Sequence, residues 1–232
     1  MYVSRADGRS VIKMKVELIS YSNMNERVCG IASKTCVSDH IPTDDEDVTR
    51  SLEMATASGH TSVLEHWSAT FAIEGISRAC SHQLVRHRMA SYSQQSQRYV
   101  RMDGFEYVVP KSIRENPIAY DDYMTVMRDL KEWYEVFVSK EEGYGIPEED
   151  ARYILPNACC TNLVVTMNGR ELLHFFNLRC CTRAQWEIRE LAERMLELVK
   201  EVAPVIFETA GPSCVKLGRC PEKRSCGRCK TT

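Results

Sequence analysis

Residues 67–102 read WSATFAIEGISRACSHQLVRHRMASYSQQSQRYVRM, a stretch in which an alternating apolar pattern is followed by a cluster of arginines. At its beginning, apolar side chains occupy every second position: Trp67, Ala69, Phe71 and Ile73. This alternation predicts a strand with one buried face. A helix is predicted to begin near Ser77, to bury Leu84 and Val85, and to end in the polar segment 91–97. A strand therefore leads almost directly into a helix.

The same kinds of pattern extend in both directions from this stretch. Strands are predicted at 13–20, 105–109 and 161–167. A helix is predicted from the capping residues 43–46 to Gly59. Further helices are predicted at 120–137, at 170–179 after a turn at 168–169, and at 184–203 before Pro204. Helices and strands are mixed without a regular β-α-β rhythm, which predicts an α+β fold with an antiparallel sheet. The sequence has no G-x-G-x-x-G loop, so a Rossmann unit is not expected.

The overall composition argues against several classes of protein. The 232 residues are 44% hydrophobic and 27% charged, with a formal net charge of −2, so neither nucleic acid nor a membrane surface is an expected partner. The sequence has no apolar run of about 18 residues, and its first ten residues do not have the pattern of a signal peptide. We therefore predict a single large domain that is located in the cytoplasm.

Eleven cysteines are many for a chain of this length, and we interpret them as reduced thiols. The adjacent pairs at 159–160 and 180–181 are poor disulfide candidates because neighbouring Cα atoms are only about 3.8 Å apart.

Residues 211–232 are predicted to be a basic tail that follows a catalytic domain of residues 1–210. The tail carries six basic residues, one acid and four cysteines: Cys214, Cys220, Cys226 and Cys229. Three states of these thiols are open, namely a structural zinc site, a disordered tail with free thiols, and ordered disulfides.

Residues 75–102 are the most informative part of the chain for function. They contain two histidines, no lysine, no acid and five arginines: Arg78, Arg86, Arg88, Arg98 and Arg101. A planar guanidinium group can bind a phosphate or a uracil-type carbonyl through two parallel hydrogen bonds, and the serines and glutamines of 91–97 add neutral donors. This composition predicts an anionic ligand, and the alternative is a solvated basic face.

Spacing gives two further hypotheses for this stretch. If Arg86 and Arg88 lie on the predicted helix, they point roughly 200° apart, so they face two ligands or one of them reaches across a subunit boundary. His87 and Ser91 are four residues apart and are a candidate base and nucleophile on one helix face. No acid lies near in sequence to orient the histidine, and no G-x-S-x-G motif surrounds the serine, which argues against a hydrolase.

Residues 86–98, RHRMASYSQQSQR, match R-H-R-x-x-S-x-x-x-x-S-x-R and resemble the motif of flavin-dependent thymidylate synthases. Further segments resemble that family in its order: GHTSVLEH at 59–66, ARYILP at 151–156, NGRELLHFFNLR at 168–179 and AQWEIR at 184–189. The resemblance implies an enzyme that methylates dUMP to dTMP, with carbon from 5,10-methylenetetrahydrofolate and with hydride from NADPH carried by FAD. It also implies a homotetramer with active sites shared between subunits, and it agrees with the two-sided placement of Arg86 and Arg88.

The resemblance implies roles for individual residues as well. The residues implied to hold dUMP are Gln83, Leu84, Val85, Arg86, Gln94, Gln95, Ser96, Gln97, Arg98, Arg152 and Arg179. The residues implied to hold FAD are Ser62, Arg86, His87, Arg88, Gln94, Asn168, Gly169, Arg170 and His174. Arg179 is the implied catalytic residue, because a fixed cation against the uracil favours loss of the ring N–H proton and makes the carbon nucleophilic. His60 is implied at the folate or substrate face of the flavin, and no metal is expected.

Gln94 departs from the family pattern, because many members carry glutamate there. A neutral amide forms hydrogen bonds but cannot act as a base, so we interpret Gln94 as a binding residue. No cysteine is expected to act as a nucleophile, since the flavin carries the chemistry. The cysteines in apolar or helical surroundings are Cys80, Cys159, Cys160, Cys180 and Cys181.

Two rival hypotheses come from other classes of protein. An RNA-binding module would use the arginines for phosphate contacts and Tyr92 and Tyr99 for base stacking, but the net charge of −2 argues against it. A flavin-binding protein with a different reaction would use much of the same motif. Salt-sensitive affinity for single-stranded RNA would support the RNA-binding module. Flavin binding without affinity for dUMP would support a flavin-binding protein with a different reaction.

Overall fold

The computed structural model describes residues 3–4, 11–12 and 14–229. The strands in this part of the chain are β1 (Val3–Ser4), β2 (Val11–Ile12), β3 (Lys15–Tyr21), β4 (Ser68–Ser77), β5 (Ala90–Gln94), β6 (Tyr107–Val108) and β7 (Cys160–Asn168). They form an antiparallel sheet of order β2-β1-β6 and a four-stranded antiparallel sheet of order β3-β4-β7-β5. The predicted α+β fold with an antiparallel sheet is confirmed.

Helices account for most of the remaining described residues. They are α1 (Arg27–Thr35), α2 (Asp45–Ala57), α3 (Arg78–Leu84), α4 (Lys111–Arg114), α5 (Pro117–Val138), α6 (Glu148–Ala151), α7 (Gly169–Arg179), α8 (Trp186–Val202), α9 (Pro204–Phe207) and α10 (Ser213–Leu217), with 3₁₀ helices at Thr61–His66 and Arg152–Ile154. No helix in the described ranges combines the length and the apolar character that a bilayer-spanning segment requires.

The chain divides into two compact units. Unit 1 comprises the described residues up to Lys15 together with Ile73–Gln83 and Ser93–Leu163. Unit 2 comprises Val16–Ala72, Leu84–Tyr92 and the described residues from Val164 onward. β4, β5 and β7 contribute residues to both units.

The core of unit 1 is organised by α5. The buried residues of this helix are Met127, Lys131, Tyr134 and Val138, whose spacing places them on one face. Lys131 is buried with its ammonium group 5.0 Å from the centre of the Tyr107 ring, a cation–π contact that accommodates the charge. Asn116 caps the start of α5 by accepting a hydrogen bond from the backbone N–H of Ala119.

The core of unit 2 is built around α7 and α8. Phe207 packs edge-on against Trp67 and Phe176, with ring centres 5.3 and 5.9 Å apart. α8 buries an apolar stripe formed by Ile188, Leu191, Ala192, Met195 and Val199. Its first turn is capped by the side chain of Gln185, which accepts from two backbone N–H groups.

The strands that sequence alternation predicts near 13–20, 67–73 and 161–167 are present as β3, β4 and β7. The helices predicted at 120–137, 170–179 and 184–203 are present as α5, α7 and α8. The predicted turn at 168–169 is wrong, because Asn168 accepts from the backbone N–H of Glu171 and thereby caps the start of α7. Thr43 does not cap α2 either, since Asp44 takes that role by accepting from Asp47.

The helix predicted to run past Leu84 ends at that residue, so Arg86 and Arg88 are not helical. The carbonyl oxygen of Leu84 accepts from the backbone N–H of His87 at 3.1 Å, and the Tyr92 hydroxyl lies 2.9 Å from the same oxygen. These bonds replace the i to i+4 bond that would continue the helix. The prediction that Arg86 and Arg88 lie on opposite sides of a helix is therefore wrong, and Val85 is 40% exposed rather than buried.

The sequence predicts the end of a helix in the polar segment 91–97, but Ala90–Gln94 is strand β5. The backbone N–H of Gln95 donates to the carbonyl oxygen of Asn162 at 2.9 Å, directly after β5. Sheet pairing overrides the weak strand propensity of serine and glutamine. α1 was not predicted at all, because a glycine at position 30 and few apolar residues weaken its sequence pattern.

Candidate functional site

A cluster of neutral polar side chains lies in unit 1. We call Gln94, Ser81 and Thr161 the glutamine cluster. The side-chain amide of Gln94 donates to Ser81 Oγ at 3.0 Å and to Thr161 Oγ1 at 3.2 Å. Ser81 Oγ in turn donates to the backbone carbonyl of Arg78 at 3.0 Å. Because a carbonyl only accepts, the serine proton is committed and its oxygen must accept from the glutamine. The cluster therefore has a fixed hydrogen-bond direction.

Several arginines of unit 1 lie close to one another. The pKa of Arg78 is lowered by burial, and the like charge of Arg152 lowers it further. Arg152 donates from Nε to the backbone carbonyl of Glu149 at 3.0 Å, and Arg98 forms an ion pair with the Glu149 carboxylate at 3.0 Å. This pair of guanidinium groups, Arg78 and Arg152, is suited to an anionic ligand.

The other unit 1 residues that were predicted to hold a nucleotide follow the same elements. Gln83 lies on α3, and Gln95, Ser96 and Gln97 directly follow β5, all of them half-buried. Gln97 Nε2 lies 3.9 Å from the Cys159 sulfur, a weak contact with a buried thiol. Gln95, Ser96 and Gln97 are the residues that connect Gln94 of the glutamine cluster to Arg98.

A second cluster of side chains lies in unit 2 and carries charge. We call His87, Glu171 and Arg179 the histidine cluster. His87 Nδ1 lies 3.1 Å from Glu171 Oε1, and Arg179 donates from Nε to His87 Nε2 at 3.1 Å. His87 and Glu171 are buried, whereas Arg179 is half-buried. The His87 ring also packs edge-on against Phe175 at 4.9 Å and lies 5.8 Å from the ring of His174.

The electrostatics of the histidine cluster favour a neutral imidazole. Burial lowers the pKa of His87 most strongly, the hydrogen bond to Glu171 raises it, and the nearby Arg179 charge lowers it again, so that the pKa is below its ordinary value. Arg179 donates to Nε2, so this nitrogen carries no proton. Both ring nitrogens are therefore already engaged by protein groups.

Several residues predicted to hold a flavin are brought together around the start of α7. Gly169 donates its backbone N–H to the carbonyl of Trp67 at 2.8 Å, and a Cβ atom at this position would lie 2.8 Å from the carbonyl oxygen of Leu64. Only glycine permits this approach between α7 and the 3₁₀ helix of Thr61–His66, which carries Ser62. Arg170 then forms an ion pair with Glu65 of the 3₁₀ helix at 2.6 Å.

The remaining unit 2 candidates are exposed. Arg86 and Arg88 lie in the turn after α3, on either side of the buried His87. His60 precedes the 3₁₀ helix and is exposed, as is His174 on α7. The structure thus groups Ser62, Asn168, Gly169 and Arg170 around one helix start, and it links Arg179 to His87.

Comparisons with known proteins show which proteins this chain resembles. A family model described as "Thymidylate synthase complementing protein" matches residues 17–205. The flavin-dependent thymidylate synthase of Geobacter sulfurreducens is 50% identical over 225 residues, which cover 93% of this chain and 94% of that protein. The one from Clostridium tetani is 46% identical over 234 residues, again covering 93% of this chain and 94% of the relative.

The chain belongs to the flavin-dependent thymidylate synthase family. The fold is also similar to the crystal structure of the flavin-dependent thymidylate synthase ThyX from Helicobacter pylori complexed with FAD and dUMP. That comparison has a TM-score of 0.69 and 24% sequence identity, and it covers 85% of this chain and 99% of that chain. The ThyX-like fold expected from the sequence resemblance is confirmed.

Sequence reasoning missed several side chains that accompany the flavin-dependent thymidylate synthase motifs. They are Arg78, Ser81, Thr161, Glu171, Glu65 and Glu149. Glu171 stands within the NGRELLHFFNLR segment, but spacing alone does not indicate that its partner is His87, 84 residues earlier. Arg78 is in the arginine-rich stretch, and its partial burial distinguishes it from a solvated surface arginine.

His87, Glu171 and His174 also have the composition of a metal site. One ligand atom from each lies within 4.8 Å of the others, which among the described residues is the one group of this kind. The hydrogen bonds of His87 to Glu171 and Arg179 account for both of its ring nitrogens. The Arg179 guanidinium beside the ring would also repel a cation. We therefore interpret His87 and Glu171 as parts of a hydrogen-bonded network with Arg179.

The cysteine-rich segment that begins at residue 211 is part of unit 2, and it contacts the chain around Cys180. Arg228 donates to the backbone carbonyl of Cys180 at 3.2 Å, and Glu222 forms an ion pair with Arg183 at 3.1 Å. The Cys214 thiol lies beside Cys229, and the hydrogen bond between them raises the pKa of Cys214. A boundary between a catalytic domain ending at residue 210 and a tail stays a prediction. Zinc analysis of the full chain beside a chain ending at Ala210 tests the zinc alternative.

Proposed function

We propose that this chain catalyses the reductive methylation of dUMP to dTMP, with FAD as cofactor, 5,10-methylenetetrahydrofolate as carbon donor and NADPH as reductant. The observation that carries the proposal is the fixed guanidinium of Arg179. Its Nε donates to a buried, neutral His87 within the R-H-R motif of the flavin-dependent thymidylate synthase family. The FAD and dUMP complex of the Helicobacter pylori relative supports the choice of ligands.

The role of Arg179 follows from charge. A guanidinium group held against a uracil ring stabilises the anion that forms when the ring N–H proton is lost. The negative charge then delocalises onto the ring carbon, which becomes nucleophilic and accepts the one-carbon unit. Because His87 fixes the Nε side of Arg179, the guanidinium keeps its orientation without reorganisation during the reaction.

Several side chains that the proposal assigns to dUMP suit particular parts of this ligand. The phosphate suits the guanidinium groups of Arg98 and Arg152, and the half-buried Arg78 adds positive charge near Arg152. The neutral side chains from Gln94 to Gln97 suit the sugar and the base. Gln94 is engaged with two buried hydroxyl groups, which is consistent with a binding role rather than a role as a base.

The residues assigned to FAD fit such a ligand. Arg86, Arg88 and Arg170 are exposed guanidinium groups of the kind that bind a pyrophosphate, and the start of α7 supplies a helix N-terminus. Ser62, Asn168 and His174 add polar side chains. When bound, the flavin supplies the hydride that completes the methyl group. His60 is exposed and stays a candidate for the folate or substrate face.

The cysteines do not suit a nucleophilic mechanism. Burial raises the pKa of both Cys159 and Cys180 to about 12, so these thiols are protonated at neutral pH. Cys80 and Cys160 are buried as well. This supports a reaction in which no cysteine attacks the pyrimidine, and it agrees with the flavin-dependent class. A homotetramer with shared active sites and a cytoplasmic location stay predictions.

The visible spectrum of the purified protein, followed by a dUMP titration, tests the proposal. We expect oxidised flavin absorbance that co-purifies or can be reconstituted with FAD, and a spectral shift when dUMP is added. Turnover is then measured as dTMP formed from dUMP, methylenetetrahydrofolate and NADPH. A protein that binds FAD but not dUMP would refute the synthase assignment, and one that binds neither would direct attention to single-stranded RNA.

A further inference from the structure

Glu171 is a buried carboxylate that the motif assignments leave without a role. It is 9% exposed on the first turn of α7, where the Asn168 side chain accepts from its backbone N–H at 2.8 Å. Its Oε1 lies 3.1 Å from His87 Nδ1. A buried carboxylate is costly unless it is hydrogen-bonded, so this contact needs a structural or functional reason.

The direction of the hydrogen bonds in the histidine cluster is set by Arg179. A guanidinium group has only donors, so the contact between Arg179 Nε and His87 Nε2 requires a lone pair on Nε2. The single proton of the neutral ring is then on Nδ1, and Nδ1–H donates to Glu171. The opposite tautomer would place two N–H groups against each other at Nε2. An imidazolium ring would do the same.

Helix geometry explains why an imidazole is needed between the two charged groups. Glu171 and Arg179 are eight residues apart on α7, which corresponds to about 12 Å along the helix axis. This separation is too long for a direct ion pair. The His87 ring, which comes from the turn after α3, spans the gap and contacts both. Arg179 therefore reaches back along its own helix to a ring that Glu171 holds in place.

We propose that Glu171 is a positioning residue for Arg179. By accepting from Nδ1–H, its carboxylate holds His87 in the one tautomer whose Nε2 can accept from Arg179 and so orients the guanidinium. The effect on turnover rests on the proposed function, because it requires Arg179 to act on the substrate. The tautomer itself does not depend on that function. His174, exposed on the same helix, is a further ionisable neighbour of the ring.

The first test needs no substrate. In protein labelled with ¹⁵N-histidine, long-range proton–nitrogen correlations distinguish the two tautomers, and a His87→Asn variant assigns the His87 signals. We expect His87 to be protonated on Nδ1 and unprotonated on Nε2 at neutral pH. A ring protonated on Nε2, or on both nitrogens, overturns the proposal whatever reaction the protein catalyses.

The second test uses three variants. Glu171→Leu removes the acceptor, and we expect kcat for dTMP formation to fall roughly 10- to 100-fold, as when groups that orient a functional histidine are removed. The KM for dUMP and the bound flavin per chain should change much less. Glu171→Gln retains an oxygen that accepts from Nδ1–H and should recover most of the loss. Glu26→Gln is the matched control, a half-buried carboxylate of the same unit that accepts from Ile206 N–H.

The outcomes separate the two proposals. Unchanged kcat in a folded Glu171→Leu variant, or equal losses in the Leu and Gln variants, overturns the positioning role. If Glu171→Leu does not fold, the wild-type tautomer and the Gln variant still decide the question. A wild-type protein that shows the Nδ1–H tautomer but forms no dTMP would refute the proposed function and leave the hydrogen-bond assignment standing.

Discussion

In the glutamine cluster of unit 1 and in the histidine cluster of unit 2, one group in each cluster sets the direction of the hydrogen bonds. In the first, the backbone carbonyl of Arg78 takes the serine proton, so that Ser81 must accept from Gln94. In the second, the guanidinium of Arg179 sets the tautomer of His87. The first network is neutral throughout, whereas the second joins a carboxylate to a guanidinium through a neutral ring.

This difference indicates different consequences of mutation. A neutral network is inexpensive to bury, and its loss leaves unsatisfied hydroxyl groups that mainly reduce stability and ligand affinity. A charged network determines which nitrogen carries a proton and where a cation points, so its loss affects the chemical step. We therefore expect mutations in the glutamine cluster to change the KM for dUMP, and mutations in the histidine cluster to change kcat.

The largest effect is expected for Arg179. Both Arg179→Ala and Arg179→Lys should lower kcat/KM by roughly 100- to 1000-fold, because neither retains a planar donor held by His87, and removal of one such electrostatic contact typically has this effect. Steady-state dTMP formation with saturating cofactors measures the loss. The matched control is Arg194→Lys, which alters an arginine paired with Glu190 on α8 and should leave turnover unchanged.

Near wild-type activity of the Arg179→Lys variant would contradict the proposed contrast between the two clusters. It would mean that a point charge is sufficient and that orientation by His87 contributes little. A loss confined to KM would also contradict it, since uniform binding and not the chemical step would then be affected.

Gln94→Leu is expected to have the next largest effect, and to act differently. The buried hydroxyl groups of Ser81 and Thr161 would lose their common donor, which should lower the free energy of unfolding by about 1–3 kcal/mol. Urea unfolding measures this change, and the KM for dUMP should rise while kcat falls little. Gln94→Glu is the informative partner variant, because its carboxylate only accepts and Ser81 must turn its proton away from the Arg78 carbonyl.

A Gln94→Leu variant of unchanged stability would show that the hydroxyl groups find other partners. A Gln94→Glu variant with higher kcat than wild type would show that an acid-base role is possible at this position. Either result would remove the distinction drawn between a neutral binding network and a charged catalytic one.

Much of the fold could be predicted because its main elements have strong local patterns. The alternation from Trp67 to Ile73 predicts β4, and the apolar residues of α5 and α8 recur at helical spacing. The end of α3 could not be predicted, because it depends on the Tyr92 hydroxyl eight residues beyond Leu84. β5 was missed since its residues are polar and only sheet pairing makes them a strand.

The candidate site divides in the same way. Residues within the R-H-R motif could be recognised from sequence, because their order and spacing are unusual. Their partners could not, since the contacts of His87 with Glu171 and Arg179 join residues 84 and 92 positions apart. The direction of a hydrogen bond in a folded network depends on these distant neighbours. Local spacing contains no information about them.

Gly169→Ala tests the support beneath the histidine cluster. The new methyl group would lie 2.8 Å from the carbonyl oxygen of Leu64, so α7 and the 3₁₀ helix must move apart. We expect a loss of about 1–3 kcal/mol in the free energy of unfolding and weaker retention of FAD. Thermal unfolding and flavin content measure the two effects. Gly30→Ala is the matched control, because a Cβ atom at Gly30 would also meet a carbonyl oxygen of unit 2, that of Val48. Gly104→Ala would not be matched, since Gly104 has a positive φ.

If Gly30→Ala and Gly169→Ala lower stability and FAD retention equally, the effect at Gly169 is general unfolding and not a change beside the cofactor. If only Gly169→Ala releases FAD, the start of α7 is placed in the flavin site by an observation independent of sequence motifs.

The smallest effect is expected for Tyr92→Phe. The Tyr92 hydroxyl lies 2.9 Å from the carbonyl oxygens of Leu84 and His87, so it fixes the backbone of the turn that carries His87. Loss of this hydroxyl should lower stability by about 1 kcal/mol and reduce kcat a few-fold, because the imidazole is then held less firmly between Glu171 and Arg179. Tyr123→Phe removes a similar bond to the Val108 carbonyl in unit 1. It should cost a similar amount of stability with no change in kcat. Equal kcat in the two variants would mean that side-chain contacts alone hold His87, and that the charged network does not depend on the backbone turn.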